Sequence, residues 1–249
     1  TSNTGAVEGA AATYSDLTQP SRRTNVTQII SETFRVTGTE MDVNVAGMGD
    51  PYEYQKAKAL KTWKNRQEYA LIRSSLTSGA SGSGQTMIGI EAVVTSHYTA
   101  RNSGTSLSET EFNSMVYDVS NDVGADEVFD MVLTTLQLRQ KISTFTAGST
   151  KNVDASDKRL TRPVAVYESD FGVHRIFGHK DVYSSNATPG PKVLGLRENQ
   201  WRIAYLRKPK YVELALDGDR KNGMIVGEMT LEYLAERANA LRSGYNQTG

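Results

Sequence analysis

The chain has no cysteine, which excludes disulfide staples, thiolate metal sites and a cysteine nucleophile. It also lacks any apolar run approaching the roughly 20 residues that a membrane-spanning helix needs, so no membrane partner is expected. Thr1 to Ala12 have neither the basic start nor the apolar centre of a secretory signal, which points to synthesis in the cytoplasm. In that setting the three Asn-x-Ser/Thr sequons at Asn25, Asn186 and Asn246 read as chance. An excess of either charge is missing as well: Lys+Arg and Asp+Glu each number 28. A chain that holds nucleic acid on a basic face normally shows an excess of cations, so contact with DNA is expected to be local or weak. Zero net charge removes long-range self-repulsion and suits a chain that associates with copies of itself.

Signs of chemistry are equally sparse. The three histidines are His97, His174 and His179. His174 and His179, with Asp170 and Asp181 nearby, are five apart, which places them on opposite faces of one strand. Ordinary hydrogen-bonding histidines are expected there, with no metal and no cofactor. Residues 77–86 form a Gly/Ser loop without the Gly-Lys-Ser/Thr ending or preceding apolar strand of a phosphate cradle, so a flexible connector is expected. No Glu-x-x-His, paired-carboxylate or Ser-His-Asp pattern stands out. Thr1 keeps one rival reading open, an N-terminal-threonine hydrolase. That chemistry needs a fixed first residue, and Thr1 heads a segment rich in Thr, Ser, Ala, Gly and Asn, a composition that cannot bury enough surface to order itself.

What is present is patterned structure. The 249 residues, 38% of them hydrophobic, suffice for one large or two small domains with a core. Phe34 and Val36 alternate with polar neighbours, Gly38-Thr39-Glu40 offers a turn, and Met41, Val43 and Val45 alternate again, which predicts a β-hairpin. Asp50 as N-cap, Pro51 at the first helical position and Glu53 as the returning half of a capping box predict a helix to about Ser75. Its expected apolar stripe runs through Tyr54, Ala57, Leu60, Trp63 or Lys64, Gln67 and Ala70-Leu71, and Lys56, Lys58, Lys61, Lys64 and Arg66 form a cationic face. A second helix begins at Ser108 with Glu111 in a capping box and Phe112, Met115, Val116 and Val119 on one side. Val128 to Leu133 predicts a buried strand, 135–144 a polar helix, and 146–158 a loop. Pro163 to Tyr167 and Gly172 to Phe177 predict paired strands. Strands are expected at Trp201–Tyr205 and Tyr211–Leu216, turns at Asp217-Gly218 and Asn222-Gly223, and a long strand from Met224 with Ile225, Met229, Leu231 and Tyr233 on one face. The class is α+β.

In this order the elements resemble the major capsid proteins of tailed bacteriophages with the Hong Kong 97-type fold. The likeness runs from Asn25-Val-Thr-Gln-Ile-Ile-Ser-Glu-Thr-Phe, through Tyr54-Gln-x-x-Lys58-Ala-Leu-Lys and Gly89-Ile-Glu-Ala, to Val166-Tyr-Glu-Ser-Asp-Phe-Gly172, Ala204-Tyr-Leu-Arg207-Lys-Pro and Glu228-Met-Thr-Leu-Glu232. The resemblance implies an N-terminal arm at 1–25, an extended loop at 26–49, a peripheral domain at 50–119 carrying a long spine helix, an axial domain at 120–199, and peripheral strands at 200–249. It implies a non-enzymatic subunit of an icosahedral head shell around double-stranded DNA, with an encapsulin-like protein compartment as the alternative. The partners implied are copies of the chain in hexamers and pentamers, packaged DNA held weakly and without sequence preference, and scaffolding, portal and decoration proteins. Assembly contacts are expected from Phe34, Val36, Gly38, Met41, Val43 and Val45 on the extended loop, and inner-face or neighbour contacts from Arg22, Arg23 and Lys56. Some members of the fold cross-link their shells through a lysine on that loop. The first lysine here is Lys56, so a noncovalent shell is expected.

Overall fold

A computed structural model describes residues 8–9, 11, 22–43, 49–80, 83–145, 166–182, 190–216 and 218–246. In chain order the elements are β1 (Gln28–Thr37), α1 (Gly38–Asp42), α2 (Pro51–Arg73), α3 (Ile90–Val93), β2 (Tyr98–Thr105), α4 (Glu109–Val123), β3 (Met131–Thr134), α5 (Leu136–Ile142), β4 (Val166–Ser169), β5 (Gly172–Gly178), β6 (Lys192–Leu196), β7 (Trp201–Leu214), β8 (Arg220–Tyr233) and β9 (Ala240–Tyr245). They form an antiparallel sheet of three strands, β1-β8-β7, and a mixed sheet of six, β2-β9-β6-β3-β5-β4.

The expected hairpin at 34–45 is not formed. β1 pairs with β8 across the chain, Gln28 opposite Met229 through Thr37 opposite Arg220. Met41 and Asp42, expected in a returning strand, belong to α1, which Thr37 caps through its side chain. The alternation that reads as two strands of a ribbon is one strand whose Ile30 and Val36 sink into the core. Val45 lies outside the described residues.

α2 starts where its signals say. The Asp50 carboxylate accepts from the Tyr52 N–H at 2.8 Å and Pro51 occupies the first turn. Glu53 does not complete a capping box; it pairs with Lys56 one turn on, at 3.0 Å. The helix is 23 residues, about 35 Å at the standard rise. Its buried residues are Pro51, Tyr52, Ala59, Trp63, Ala70 and Ile72; Trp63 and Ala70 lie on the expected stripe, while Tyr54 and Leu60 of that stripe face solvent.

The buried face of α2 lies on β8, whose inward residues are Gly223, Ile225, Gly227, Met229 and Leu231. Two of these glycines provide clearance. A Cβ on Gly227 would sit 2.9 Å from the Trp63 ring, and one on Gly223 2.6 Å from Phe34 and 2.8 Å from the Tyr52 hydroxyl. The expected turn at Asn222-Gly223 is therefore strand, its glycine serving an aromatic contact. β7 is a single strand that runs through Pro209, which an outer strand tolerates, with register shifts between Tyr205 and Arg207 and between Arg207 and Lys210.

β6 is buried along its whole length and joins two cores. Val193 faces Phe112, Met115, Val116 and Val119 of α4 and Leu138 and Ile142 of α5, as the helical stripe predicts. Leu194 and Leu196 face α2, α3 and β8. α4 begins at Ser108, which accepts from the Glu111 N–H at 3.2 Å. The Glu111 carboxylate turns away, to Arg101 at 2.8 Å and Arg242 at 3.1 Å. α5 and the β4–β5 pair form as expected, whereas 146–158 and 163–165 lie outside the described residues.

Candidate assembly surfaces

The foot of α2 opens into a cleft of about 640 Å³ lined by Met41, Val43, Asp50, Glu53, Lys56 and Lys221 among others. Its floor is aromatic. The Tyr52 and Tyr211 hydroxyls meet at 2.5 Å, and Phe34 packs at 5.2 Å from Tyr52 between ring centroids. Lys56 Nζ sits 4.9 Å over the Tyr211 ring and Lys221 Nζ 4.6 Å over the Tyr52 ring. Burial, then the hydrogen bond to Tyr211, pushes the Tyr52 hydroxyl far above its ordinary pKa. At neutral pH it is a fixed polar contact and offers no phenolate for chemistry. On the rim Met41 is 38% and Val43 53% exposed.

The cleft gathers some of the expected contact residues and not others. Met41, Val43, Asp50, Pro51, Glu53 and Lys56 share it. Phe34 and Val36 do not present an outward contact face: Val36 is 1% exposed and Phe34 packs in the core beside β8. Gly38 is anchored within the chain, its N–H donating to the Asp219 carbonyl at 3.1 Å. Arg22 and Arg23 are exposed, and Arg23 borders a second cleft with Asn25, Glu232 and Glu236. Thr1 lies outside the described residues.

A second surface has no counterpart in the sequence reading. β4 is the outermost strand of the six and pairs with β5, Val166 opposite Arg175 and Glu168 opposite Val173. Tyr167, His174 and Ile176 point into the core, which leaves Val166, Val173 and Phe177 on the outer face, 51%, 55% and 45% exposed. The sequence signal was the run Val173-His174-Arg175-Ile176-Phe177, apolar on both sides of a strand beside the sheet edge. Apolar groups on both faces of such a strand mark a partner on each side.

The histidines separate. His174 is buried, its Nδ1 2.9 Å from the Phe129 carbonyl and its Nε2 2.8 Å from the Ser169 hydroxyl, and burial lowers its pKa. His179 lies after β5, facing Glu68 of α2 and Asp181. Tyr167 donates to Glu109 at 2.9 Å and stays protonated, its pKa raised to about 12 by burial and that bond. Among the described residues no helix is long and apolar enough to cross a membrane.

A family model described as SU10 major capsid protein matches residues 1–246. No curated protein sequence is similar at a significant level. Among solved structures, the capsid of a native GTA particle superposes with a TM-score of 0.65 at 12% identity, over 96% of this chain and 79% of that one. Gordonia phage Cozz gives 0.60 at 10% identity, over 96% and 78%. The holo-SrpI encapsulin complex from Synechococcus elongatus PCC 7942 gives 0.60 at 14% identity, over 90% and 76%.

Proposed function

This chain belongs to the SU10 major capsid protein family, and from that premise we propose how its copies build a shell. As a major capsid protein of the Hong Kong 97-type fold it is a structural component of the phage virion and self-associates. In the proposed arrangement residues 120–199 act as an axial domain that closes hexamers and pentamers, and 50–119 with 200–249 act as a peripheral domain. Residues 1–25 serve as the arm. Because β1 is bound into the subunit's own sheet, the portion of 26–49 that reaches a neighbour is the stretch after Thr37. The shell encloses double-stranded DNA with weak contact, and assembles in the host cytoplasm with scaffolding, portal and decoration proteins as further partners.

The observation that carries this reading is the outer face of β4–β5. Its three large apolar side chains remain about half exposed on a subunit that otherwise has two filled cores. Burying each against a copy contributes modestly, and closure of a ring repeats the contact at every subunit. The encapsulin likeness supports the same shell geometry, and the capsid family favours a genome over a protein cargo.

Negative-stain electron microscopy with sedimentation tests this. Closed polyhedral particles or rings of five and six are expected, and a small species under every condition, with scaffold supplied, refutes it. Particles boiled in denaturant should run as a single monomer band, since no lysine precedes Lys56. A ladder of multimers would contradict a noncovalent shell. Removing 36–43 would delete buried Val36. The loop is better tested by replacing 39–48 with a Gly/Ser linker of equal length, which should leave a folded subunit and abolish stable shells.

A further inference from the structure

Near its C-terminal end, α2 passes the short turn Lys180–Val182 that follows β5, and Val182 there is fully buried. At this crossing three side chains capable of metal ligation converge from two elements: Glu68 on α2, and His179 and Asp181 on the turn. His179 Nε2 is 3.5 Å from Glu68 Oε2, and His179 Nδ1 is 3.9 Å from Asp181 Oδ2. One donor atom from each residue lies within 4.8 Å of the others. Donors bound to one ion at roughly 2.0–2.2 Å stand about 3–4 Å apart and only one imidazole nitrogen can serve, so closure around an ion needs side-chain movements of about 1 Å.

The cluster differs from a chance meeting of surface groups in one respect. Asp181 Oδ2 is shielded from solvent and has no hydrogen-bond partner. A carboxylate oxygen in that position is stable only opposite a donor or a cation. The turn is anchored by the His179 N–H, which donates to the Thr134 carbonyl at 2.8 Å, and an ion taken at His179 Nδ1 would replace the Asp181 N–H that this nitrogen accepts at 3.2 Å. Glu68, about half exposed, faces the solvent through which an ion and its remaining water ligands would arrive.

We propose that Glu68, His179 and Asp181 bind one divalent transition-metal ion that fastens α2 to the turn after β5. One imidazole nitrogen with two carboxylates is a donor set for Zn²⁺ or Mn²⁺, since imidazole suits the former and carboxylates the latter. Bound there, the ion joins the helix that packs on the three-stranded sheet to the strand that belongs to the six-stranded one. It would therefore resist relative movement of the two sheets.

Calorimetric titration of the full chain with Zn²⁺ alone, in chelator-treated buffer, tests the site. One ion per chain is expected, together with a rise in thermal midpoint. Glu68→Gln, at a half-exposed helical position, preserves the fold and should weaken binding at least about tenfold. His179→Gln should abolish it, with circular dichroism showing the subunit folded. His97→Gln, at the other histidine–carboxylate pair, should bind as the unaltered chain does. Absence of binding, or one site that survives both Glu68→Gln and His179→Gln, overturns the proposal. Loss of binding in His97→Gln alone overturns it too, by moving the ion to the His97–Asp122 pair.

Discussion

Trp63 is the residue on which the join between α2 and the three-stranded sheet depends most. It is 2% exposed, its ring lies over Gly227 where a Cβ would come within 2.9 Å, and its Nε1 donates to the Ile30 carbonyl at 2.9 Å. Trp63→Ala removes the ring from a site with glycine beneath it, so nothing nearby can fill the space. The expected cost is at the upper end of the range for large-to-small core changes, about 4–5 kcal/mol. Trp63→Phe keeps a ring over Gly227 and removes the donor, with an expected cost of about 1–3 kcal/mol. Guanidinium unfolding of dissociated subunits, followed by circular dichroism, separates the two. With a slope of roughly 4 kcal/mol/M, the midpoint should fall by about 1 M for alanine and by about 0.25–0.75 M for phenylalanine. If the alanine variant unfolds within about 0.2 M of the unaltered chain, or phenylalanine is as damaging as alanine, the account of this contact is wrong.

Three further outcomes follow from other contacts. Arg242 is 3% exposed and bonds Asp118 at 2.7 Å and Glu111 at 3.1 Å. Arg242→Ala should cost about 1–3 kcal/mol in thermal unfolding, because it removes a buried cation's hydrogen bonds to two partly exposed carboxylates, one of which keeps Arg101 as a partner. Burial pushes the Glu236 carboxyl up, but bonds from the Ser96 and Thr95 N–H and hydroxyl groups outweigh it and hold the group below its ordinary value of 4.5. The ionised form is thus favoured by folding. This stabilisation is fully present above about pH 4.5 and is lost as pH falls through the lower folded value. Melting curves from pH 7 to 3 should therefore decline less steeply for Glu236→Gln than for the unaltered chain, and equal slopes refute it. Val173→Asp with Phe177→Asp should change subunit stability by no more than about 0.5 kcal/mol each, yet leave only small species in sedimentation. Normal particles would dismiss the β4–β5 face as a contact.

Local signals in the sequence were reliable where the physics is local. The Asp50-Pro51 start, the Ser108 cap and the Phe112-Met115-Val116-Val119 stripe are all present in the structure. What eluded the sequence was pairing at long range. β1 alternates as a hairpin strand does, and nothing near it reveals that its partner lies about 190 residues on in β8. Asn222-Gly223 has turn chemistry, and only the presence of Phe34 and Tyr52 overhead explains its glycine as clearance. The stripe on α2 was misplaced in part because Tyr54 and Leu60 are apolar yet face outward, as residues on a contact-forming surface do. The candidate surfaces were half legible for the same reason. Met41, Val43 and Lys56 stand at the expected foot of α2, whereas the β4–β5 face emerges only when register shows which side of the strands the core leaves bare.

Strand order also dictates when a subunit can exist. Among the described residues β1 has only β8 as its neighbour, and β9 is wedged between β2 and β6. The three-stranded sheet can therefore close only once the ribosome has delivered β8, through Tyr233, and the six-stranded sheet only once it has delivered β9, through Tyr245. A chain stopped before β8 lacks the centre of one sheet and a middle strand of the other, and one stopped between β8 and β9 still lacks the latter. Neither can present a finished edge to a growing lattice. The topology thus acts as a proofreading step in translation: only chains carried through β9 complete both sheets.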